Sequence, residues 1–149
     1  MNAAGSSPLV RATSAEDWAA IEGLLRGREL PTAGARGNLD GFLVATEGSV
    51  LLGCAGIERY GDVGLVRSVA VAESVAGRGL GATLVNALLE RARGLGLREV
   101  FLLTTTAAGY FPRFGFENVA RDALPPSLSA SEELRGACPA SAVAMRLTL

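Results

Sequence analysis

Short runs of apolar residues, separated by glycine, proline and polar turns, cover most of the chain and predict its strands. Two stretches have helical spacing instead: residues 18–25, after the capping-box pattern Thr13-x-x-Glu16, and residues 80–95. The segment 28–38 has no period and predicts a loop. The predicted strands are residues 9–12, 41–46, 50–60, 65–71, 99–103, 117–120 and about 142–147.

The connections between these strands predict the topology of the sheet. Tight turns join strands 41–46, 50–60 and 65–71, which is typical of an antiparallel meander. The helix between strands 65–71 and 99–103 predicts a parallel crossover. The whole pattern indicates one α/β (α+β) domain over residues 1–149, with a loose tail at residues 1–8. Its sheet should be mixed and mostly antiparallel, with about seven strands and flanking helices.

The segment after the fifth strand predicts one more short helix. Thr104 and the two threonines after it can cap this helix, and Pro112 is tolerated within its first turn. Gly115 suits a left-handed position at the end of the helix. Further along, Ser129-x-x-Glu132 is a second capping-box pattern.

Composition narrows the class of function. With 49% hydrophobic residues and a net charge of −1, the chain predicts one apolar core and no nucleic-acid or membrane-surface partner. No apolar run is long enough to predict a transmembrane helix, so a cytoplasmic location is expected. The chain has no histidine, which excludes a Ser-His-Asp triad and any histidine-based metal site. Cys54 and Cys138 are expected to be buried free thiols, and no metal is predicted.

A glycine-rich turn lies between the strand at 65–71 and the second long helix. It predicts exposed backbone N–H groups at the start of that helix, where the helix dipole also favours anions. Glycines let a phosphate approach the backbone closely, so the turn is interpreted as a pyrophosphate cradle. Its spacing fits neither a P-loop nor a Rossmann fingerprint. The cradle residues are Gly77, Arg78, Gly79, Leu80, Gly81 and Ala82.

The turn resembles the acetyl-coenzyme A loop of the GNAT superfamily of N-acetyltransferases, which reads Gln/Arg-x-x-Gly-x-Gly/Ala. Ala76 departs from that pattern at its first position. Gly115-Phe116 matches a second family hallmark, and the order of elements matches the GNAT fold. The chain is most similar to the arsenic-resistance N-acetyltransferases, on the motifs Leu30-Pro31-Thr32, Phe42-Leu43-Val44, Tyr60-Gly61, Arg67-Ser68-Val69-Ala70-Val71, Thr104-Thr105-Thr106-Ala107-Ala108 and Cys138-Pro139-Ala140-Ser141-Ala142.

The resemblance implies that acetyl-coenzyme A is the co-substrate and that an amine attacks its thioester directly. It implies that strand residues Val69, Ala70 and Val71 pair with the pantetheine arm, and that Thr104 faces that arm. Phe111 stands where the family commonly has its acidic tyrosine, and it is assigned to the cofactor contact.

The same resemblance leaves the general acid and the general base open. Tyr110, one residue before Phe111, is the candidate acid if the helix starts irregularly, and otherwise packs in the core. Leu65 replaces the glutamate that many relatives use as a base. Glu58 is the candidate base, with a water chain or a solvent-facing Glu58 as the alternatives.

Arg67 interrupts an apolar strand, and strand alternation puts it on one face with Leu65 and Val69. Its planar guanidinium group can bind a carboxylate or another oxyanion through two N–H groups. Arg67, with Ser68, is therefore a candidate contact for the acceptor substrate. The alternative is a structural ion pair, for which Glu58 is the candidate partner.

These observations predict an N-acetyltransferase that acts on a small-molecule amine. Inorganic arsenic has no nitrogen to acetylate, so an arsenic-linked acceptor must be an amino-acid-like arsenical or phosphinic compound, acetylated in resistance or detoxification. The alternative is a non-catalytic acetyl-coenzyme A-binding module that acts as a sensor or partner subunit. The sequence leaves a homodimer open.

Overall fold

The computed structural model describes residues 8–137, 139 and 141–149. Cys138 and most of the predicted N-terminal tail lie outside these residues. Short helical turns join the main elements, notably at Arg36–Gly41, Phe111–Phe114, Pro126–Ala130 and Glu133–Ala137. The main elements are β1 (Leu9–Ala12), α1 (Trp18–Gly27), β2 (Phe42–Glu47), β3 (Val50–Tyr60), β4 (Val63–Val71), α2 (Leu80–Gly94), β5 (Glu99–Thr104), β6 (Glu117–Val119) and β7 (Val143–Thr148).

All seven strands form one sheet, in the order β1-β2-β3-β4-β5-β7-β6. The β4–β5 pair is parallel, and the other five neighbouring pairs are antiparallel. The predicted meander and the parallel crossover through α2 are therefore both confirmed. The predicted mixed, mostly antiparallel sheet with flanking helices is confirmed as well.

The two predicted capping boxes are wrong. The box before α1 lies one residue later, where the Ser14 amide donates to Asp17 Oδ2 at 2.8 Å. Arg11 also binds this carboxylate at 2.8 Å, and its hydrogen bond is the main cause that lowers the pKa of Asp17 to about 2. Ser129 instead donates to the Pro126 carbonyl at 2.7 Å, because its turn begins at the proline.

The predicted loop at 28–38 contains more order than its sequence indicates. A helical turn occupies Arg36–Gly41, so β2 begins at Phe42, one residue later than predicted. Gly41 closes this turn against β3, where a Cβ atom would lie 2.0 Å from the Ile57 carbonyl oxygen. The loop therefore packs on the sheet next to β3 through a contact that only glycine permits.

The core has a separate cluster on each face of the sheet. On one face, Leu84 and Leu88 of α2 pack among buried side chains from five strands and the Phe111–Phe114 turn. On the other face, Ile21 and Leu25 of α1 cover Cys54 and neighbouring side chains. Cys54 is a buried free thiol as predicted, and burial raises its pKa to about 12, which makes it a poor nucleophile.

A bulge in β4 changes the face on which its last residues lie. Cys54 of β3 pairs with Ala70 and Gly56 pairs with Arg67, so one residue of β3 opposes two of β4. Ser68 lies at this bulge with a φ of 58°, which is unusual for a non-glycine residue. One extra residue moves Val69 to the α2 face. The prediction that Val69 shares a face with Arg67 is therefore wrong.

Candidate active site

A cleft opens where β4 and β5 separate. The two strands pair from Val63 with Glu99 to Leu65 with Phe101, and in the described chain their pairing ends there. Beyond this point lies a cavity of about 970 Å³. It is lined by the rest of β4, the glycine loop before α2, the end of β5 with the turn after it, and the segment that follows α1.

The backbone of β4 offers hydrogen-bond donors to this cleft. The Ala72 amide bonds the Leu52 carbonyl of β3 at 2.8 Å, and Ala70, two residues earlier, pairs with Cys54 of β3, so the amides of both residues point toward β3. Since N–H groups alternate along a strand, the amides of Val69 and Val71 point to the opposite edge, into the cleft. An extended ligand that carries amide groups can therefore add to β4 as a strand would.

The glycine loop forms the other end of the cleft. Gly77 and Gly79 have φ values of 83° and 80°, so both need the left-handed region that glycine adopts without strain. No atom lies within 4 Å of the position that a Cβ would take at either glycine. Gly79 is the N-cap of α2, which leaves the first N–H groups of that helix for an anion.

The other predicted cradle residues differ in whether they line the cleft. Leu80 is only 7% exposed, so its side chain lies in the core and its backbone faces the loop. Gly81 and Ala82 line the cleft. Arg78 is exposed and is not among the residues that line the cleft, so its contact with a phosphate stays a prediction.

Gly79→Ala is expected to weaken coenzyme A binding about tenfold, because a methyl group would fill space in front of the helix N-terminus. Isothermal calorimetry measures this change. The control is Gly96→Ala, since Gly96 also has a φ of 80° and open space around a Cβ but lies outside the cleft. Both variants should lose about 1–2 kcal/mol of unfolding free energy. Equal affinity for coenzyme A in the two variants would contradict the phosphate-cradle interpretation.

Tyr110 faces the start of α2 across the cleft. It directly precedes the helical turn Phe111–Phe114, and a Cβ on Gly81 would lie 3.1 Å from the Tyr110 hydroxyl. The Arg113 guanidinium stacks 4.2 Å from the centre of the Tyr110 ring. Phe111 is 6% exposed and belongs to the core on the α2 face. Tyr110 and Phe111 both line the cleft, and Tyr110 presents a hydroxyl group to it, while the contact of Phe111 with the cofactor stays a prediction.

Thr104 ends β5 at the edge of the cleft. Its hydroxyl oxygen accepts the Ala107 amide at 2.9 Å, which fixes the turn that leads to Tyr110. Gly115 ends the next helical turn with a φ of 102°, the left-handed position predicted for it. Thr104 therefore positions this wall of the cleft through its side chain, while a contact with pantetheine stays a prediction.

Glu58, the candidate base, lies away from the cleft. Its side chain is 1% exposed and binds Arg67 Nη1 through Oε2 at 2.6 Å. The Tyr60 hydroxyl donates to the other carboxylate oxygen at 2.5 Å. Burial, followed by the hydrogen bond to Glu58, raises the pKa of Tyr60 to about 12, so Tyr60 stays a donor. Glu58 is not among the residues that line the cleft, and this geometry does not support it as the base.

Arg67 holds several segments together. Its Nε donates to Ser68 Oγ at 3.0 Å, and Nη2 donates to the Pro31 carbonyl at 3.2 Å. The same Nη2 lies 3.4 Å from Glu133 Oε2, and the Arg67 side chain is 0% exposed. The structural ion pair with Glu58 is therefore present. A substrate oxyanion would have to displace these partners before it could reach the guanidinium.

Glu133 is the cleft residue that the sequence analysis missed. It is 4% exposed, lines the cleft and lies in the turn Glu133–Ala137. No local pattern marks it, because the segment around it has neither helical nor strand periodicity. Only the approach of this segment to Arg67 brings the carboxylate to the site.

The described residues offer neither a cluster of metal ligands nor a membrane-spanning helix. Across residues 8–137, 139 and 141–149, no group of three or more acidic or cysteine side chains is placed to hold a metal ion. Over the same residues, no helix combines the length and the apolar character needed to cross a bilayer.

Comparison with protein families gives one match over most of the chain. The model described as "Acetyltransferase (GNAT) family" matches residues 11–116. That span begins within β1, ends just before β6 and includes all the residues that line the cleft except Glu133 and Pro139.

Curated relatives match about half of the chain. An amino-acid acetyltransferase of Mycobacterium tuberculosis is 37% identical over 70 residues, which are 46% of this chain and 40% of that protein. Glucosamine 6-phosphate N-acetyltransferase 1 of Oryza sativa is 39% identical over 74 residues, 49% of this chain and 45% of that protein. The chain spans less than half of the length of either relative.

Solved structures show the same fold. N-acetylglutamate synthase from Neisseria gonorrhoeae, complexed with coenzyme A and N-acetyl-glutamate, aligns with a TM-score of 0.83 at 21% identity. The alignment covers 97% of this chain and 35% of that one. Rv2747 from Mycobacterium tuberculosis, in complex with CoA and NLQ, gives a TM-score of 0.79 at 23% identity, with 95% and 99% coverage. At these identities the likeness concerns the fold alone.

Proposed function

Because the chain belongs to the acetyltransferase (GNAT) family, we propose that it transfers the acetyl group of acetyl-coenzyme A to the amine of a small molecule. The observation that carries this proposal is the open edge of β4, where the amides of Val69 and Val71 point into the cleft beside the glycine loop. The amide-bearing arm of coenzyme A fits the open edge of β4. Its pyrophosphate fits the glycine loop.

In this reaction the protein mainly has to position the amine beside the thioester and to assist the transfer of protons. The neutral amine nitrogen forms a bond to the thioester carbonyl carbon, the carbon–sulfur bond breaks, the nitrogen gives up one proton and the thiolate takes one. A backbone amide of β4 stabilises the charge that develops on the carbonyl oxygen. The Tyr110 hydroxyl is the proton donor that the cleft offers beside α2.

The acceptor amine enters from the opposite side of the cleft. We define the acceptor end as residues 28–31, Arg67, Ser68, Glu133 and Pro139, which line the cleft away from the glycine loop. The proposed acceptor is an amino acid or a similar small acidic amine. Two relatives support this proposal, since one is named an amino-acid acetyltransferase and one acts on glucosamine 6-phosphate by its name.

A narrower proposal follows from the resemblance to arsenic-resistance N-acetyltransferases. The acceptor would then be an amino acid that carries an arsonic or phosphinic group, acetylated as a form of resistance. A cytoplasmic location and a homodimer are likewise proposals that rest on the sequence. Because Arg67 already binds Glu58 and the Pro31 carbonyl, the acidic group of such an acceptor would have to compete with these partners for the guanidinium, and the acceptor contact of Arg67 stays a prediction.

A thiol-release assay of the parent protein tests the proposed function. Acetyl-coenzyme A is offered with L-glutamate, L-alanine, glucosamine 6-phosphate, or amino acids with an arsonic or phosphinic side chain. We expect coenzyme A release above the hydrolysis background for at least one of these amines, and mass spectrometry should find the N-acetyl product. Preference for the arsonic or phosphinic amino acids would support the narrower proposal.

The rival function is a module that binds acetyl-coenzyme A without turnover. The placement of Glu58 favours it, since the carboxylate predicted as the base is sequestered by Arg67 and Tyr60. Micromolar binding of acetyl-coenzyme A with no release of coenzyme A for any amine would establish this rival and refute transfer.

A further inference from the structure

The acceptor end of the cleft brings two carboxylates within reach of an incoming amine, and their surroundings differ. Glu29 follows α1, is exposed and has a φ of 57°. Glu133 is 4% exposed, and its carboxylate contacts the buried guanidinium of Arg67. A buried carboxylate attracts a cation more strongly than an exposed one, because water screens it less.

The Arg67 guanidinium contacts two buried carboxylates, and it lies closer to Glu58 than to Glu133. The guanidinium approaches Glu58 at 2.6 Å but Glu133 at 3.4 Å, so its close ion pair is with Glu58. The Glu133 amide also donates to Ser131 Oγ at 3.1 Å, which fixes the start of the turn that carries Glu133. These two contacts are among those that hold Glu133 at the cleft wall.

Glu133 lines the same cleft as the part of β4 that follows the bulge at Ser68. An amine bound to the Glu133 carboxylate and a thioester bound along the amides of Val69 and Val71 would therefore share one cavity. Glu58 is excluded from this role because it does not line the cleft.

We propose that Glu133 receives the acceptor amine, first as the counterion of its ammonium group and then as the acceptor of its proton. The proposal rests on the transfer reaction proposed above. Glu133 takes one proton from the ammonium, which leaves a neutral nitrogen with a free electron pair. That pair forms the bond to the thioester carbonyl carbon as the carbon–sulfur bond breaks. The second proton leaves the nitrogen to water as the thiolate is protonated.

The test compares Glu133→Gln with Glu132→Gln. Glutamine keeps the size of the side chain and an oxygen that accepts from Arg67, but it carries no charge and does not take up a proton at neutral pH. Glu132 is the matched control, because it is the preceding residue, forms a loose pair with Arg135 at 3.6 Å and does not line the cleft. The amine used is whichever of L-glutamate, L-alanine and glucosamine 6-phosphate the parent acetylates fastest.

Glu133→Gln is expected to lower kcat/KM for the amine by about 10²-fold or more. It should leave KM for acetyl-coenzyme A and the affinity for coenzyme A unchanged, a split that general damage to the fold would not produce. Glu132→Gln should match the parent in every measurement. If Glu133→Gln does not fold, Glu133→Asp keeps the charge one methylene further back, and an intermediate rate for the amine is expected from it.

The other outcomes contradict the proposal, and they distinguish a wrong role for Glu133 from a wrong function for the protein. A Glu133→Gln or Glu133→Asp variant that acetylates the amine as fast as the parent overturns the role of Glu133 and leaves the proposed function intact. Equal losses in coenzyme A affinity and in turnover would make Glu133 a structural residue. A parent protein that acetylates none of the three amines and none of the arsonic or phosphinic amino acids refutes the proposed transfer, and the role of Glu133 with it.

Discussion

Arg67→Met is expected to lower the free energy of unfolding by about 3–5 kcal/mol, because it leaves buried carboxylates without their cation. The Arg67 side chain is 0% exposed and lies 2.6 Å from Glu58 and 3.4 Å from Glu133. Methionine keeps the length of the side chain but offers neither a charge nor a donor. Urea denaturation of the purified variants measures the effect.

Two further variants make this test specific. Arg59→Met changes an exposed arginine of β3 and should cost less than about 0.5 kcal/mol. The double variant Arg67→Met/Glu58→Gln should be more stable than Arg67→Met alone, because the second change removes one of the stranded charges. An Arg67→Met protein as stable as the parent would return Arg67 to the role of an acceptor contact.

Tyr110→Phe is expected to lower kcat by about 10²-fold, the usual scale for the loss of a general acid. Only the hydroxyl is removed, so the ring keeps its packing against Phe111 and Phe114, at centroid distances of 5.3 and 5.4 Å. The free energy of unfolding and KM for acetyl-coenzyme A should therefore stay near those of the parent. Steady-state kinetics with both substrates varied provides these values.

The second tyrosine of the chain is the matched control for this change. Tyr60 donates to Glu58 at 2.5 Å and does not line the cleft. Tyr60→Phe should therefore cost about 1.5–3 kcal/mol of stability, the range for a hydrogen bond to a charged group, with little change in kcat. If Tyr110→Phe raises KM for acetyl-coenzyme A and leaves kcat unchanged, its hydroxyl holds the cofactor and another group protonates the thiolate.

Much of the fold could be predicted because its signals are local. The apolar periods locate both long helices and all seven strands to within about two residues, since each element places its own side chains toward one core. The glycines of the loop before α2 have the conformations that their sequence suggests, with φ values near 80° at Gly77 and Gly79. Turn chemistry was less reliable, because both capping boxes were assigned to the wrong residues.

The errors in the candidate site come from features that no local pattern encodes. The bulge at Ser68 depends on how β4 pairs with β3, and it reverses the face of Val69 relative to Arg67. Alternation within a strand assumes regular pairing, so it fails at the residue where the pairing shifts. The approach of Glu133 to Arg67 likewise depends on a contact between segments 66 residues apart in number.

The sequence by itself determined the order of the elements, the glycine loop before α2 and the resemblance to an acetyltransferase, because periodicity and short motifs are properties of neighbouring residues. The tertiary structure alone decided which side chains reach the cleft. It placed the Tyr110 hydroxyl at the cleft opposite Gly81, sequestered Glu58 behind Arg67 and brought Glu133 to the acceptor end. These positions are set by the separation of β4 from β5 and by the packing of distant segments on one buried guanidinium, which depend on the fold as a whole.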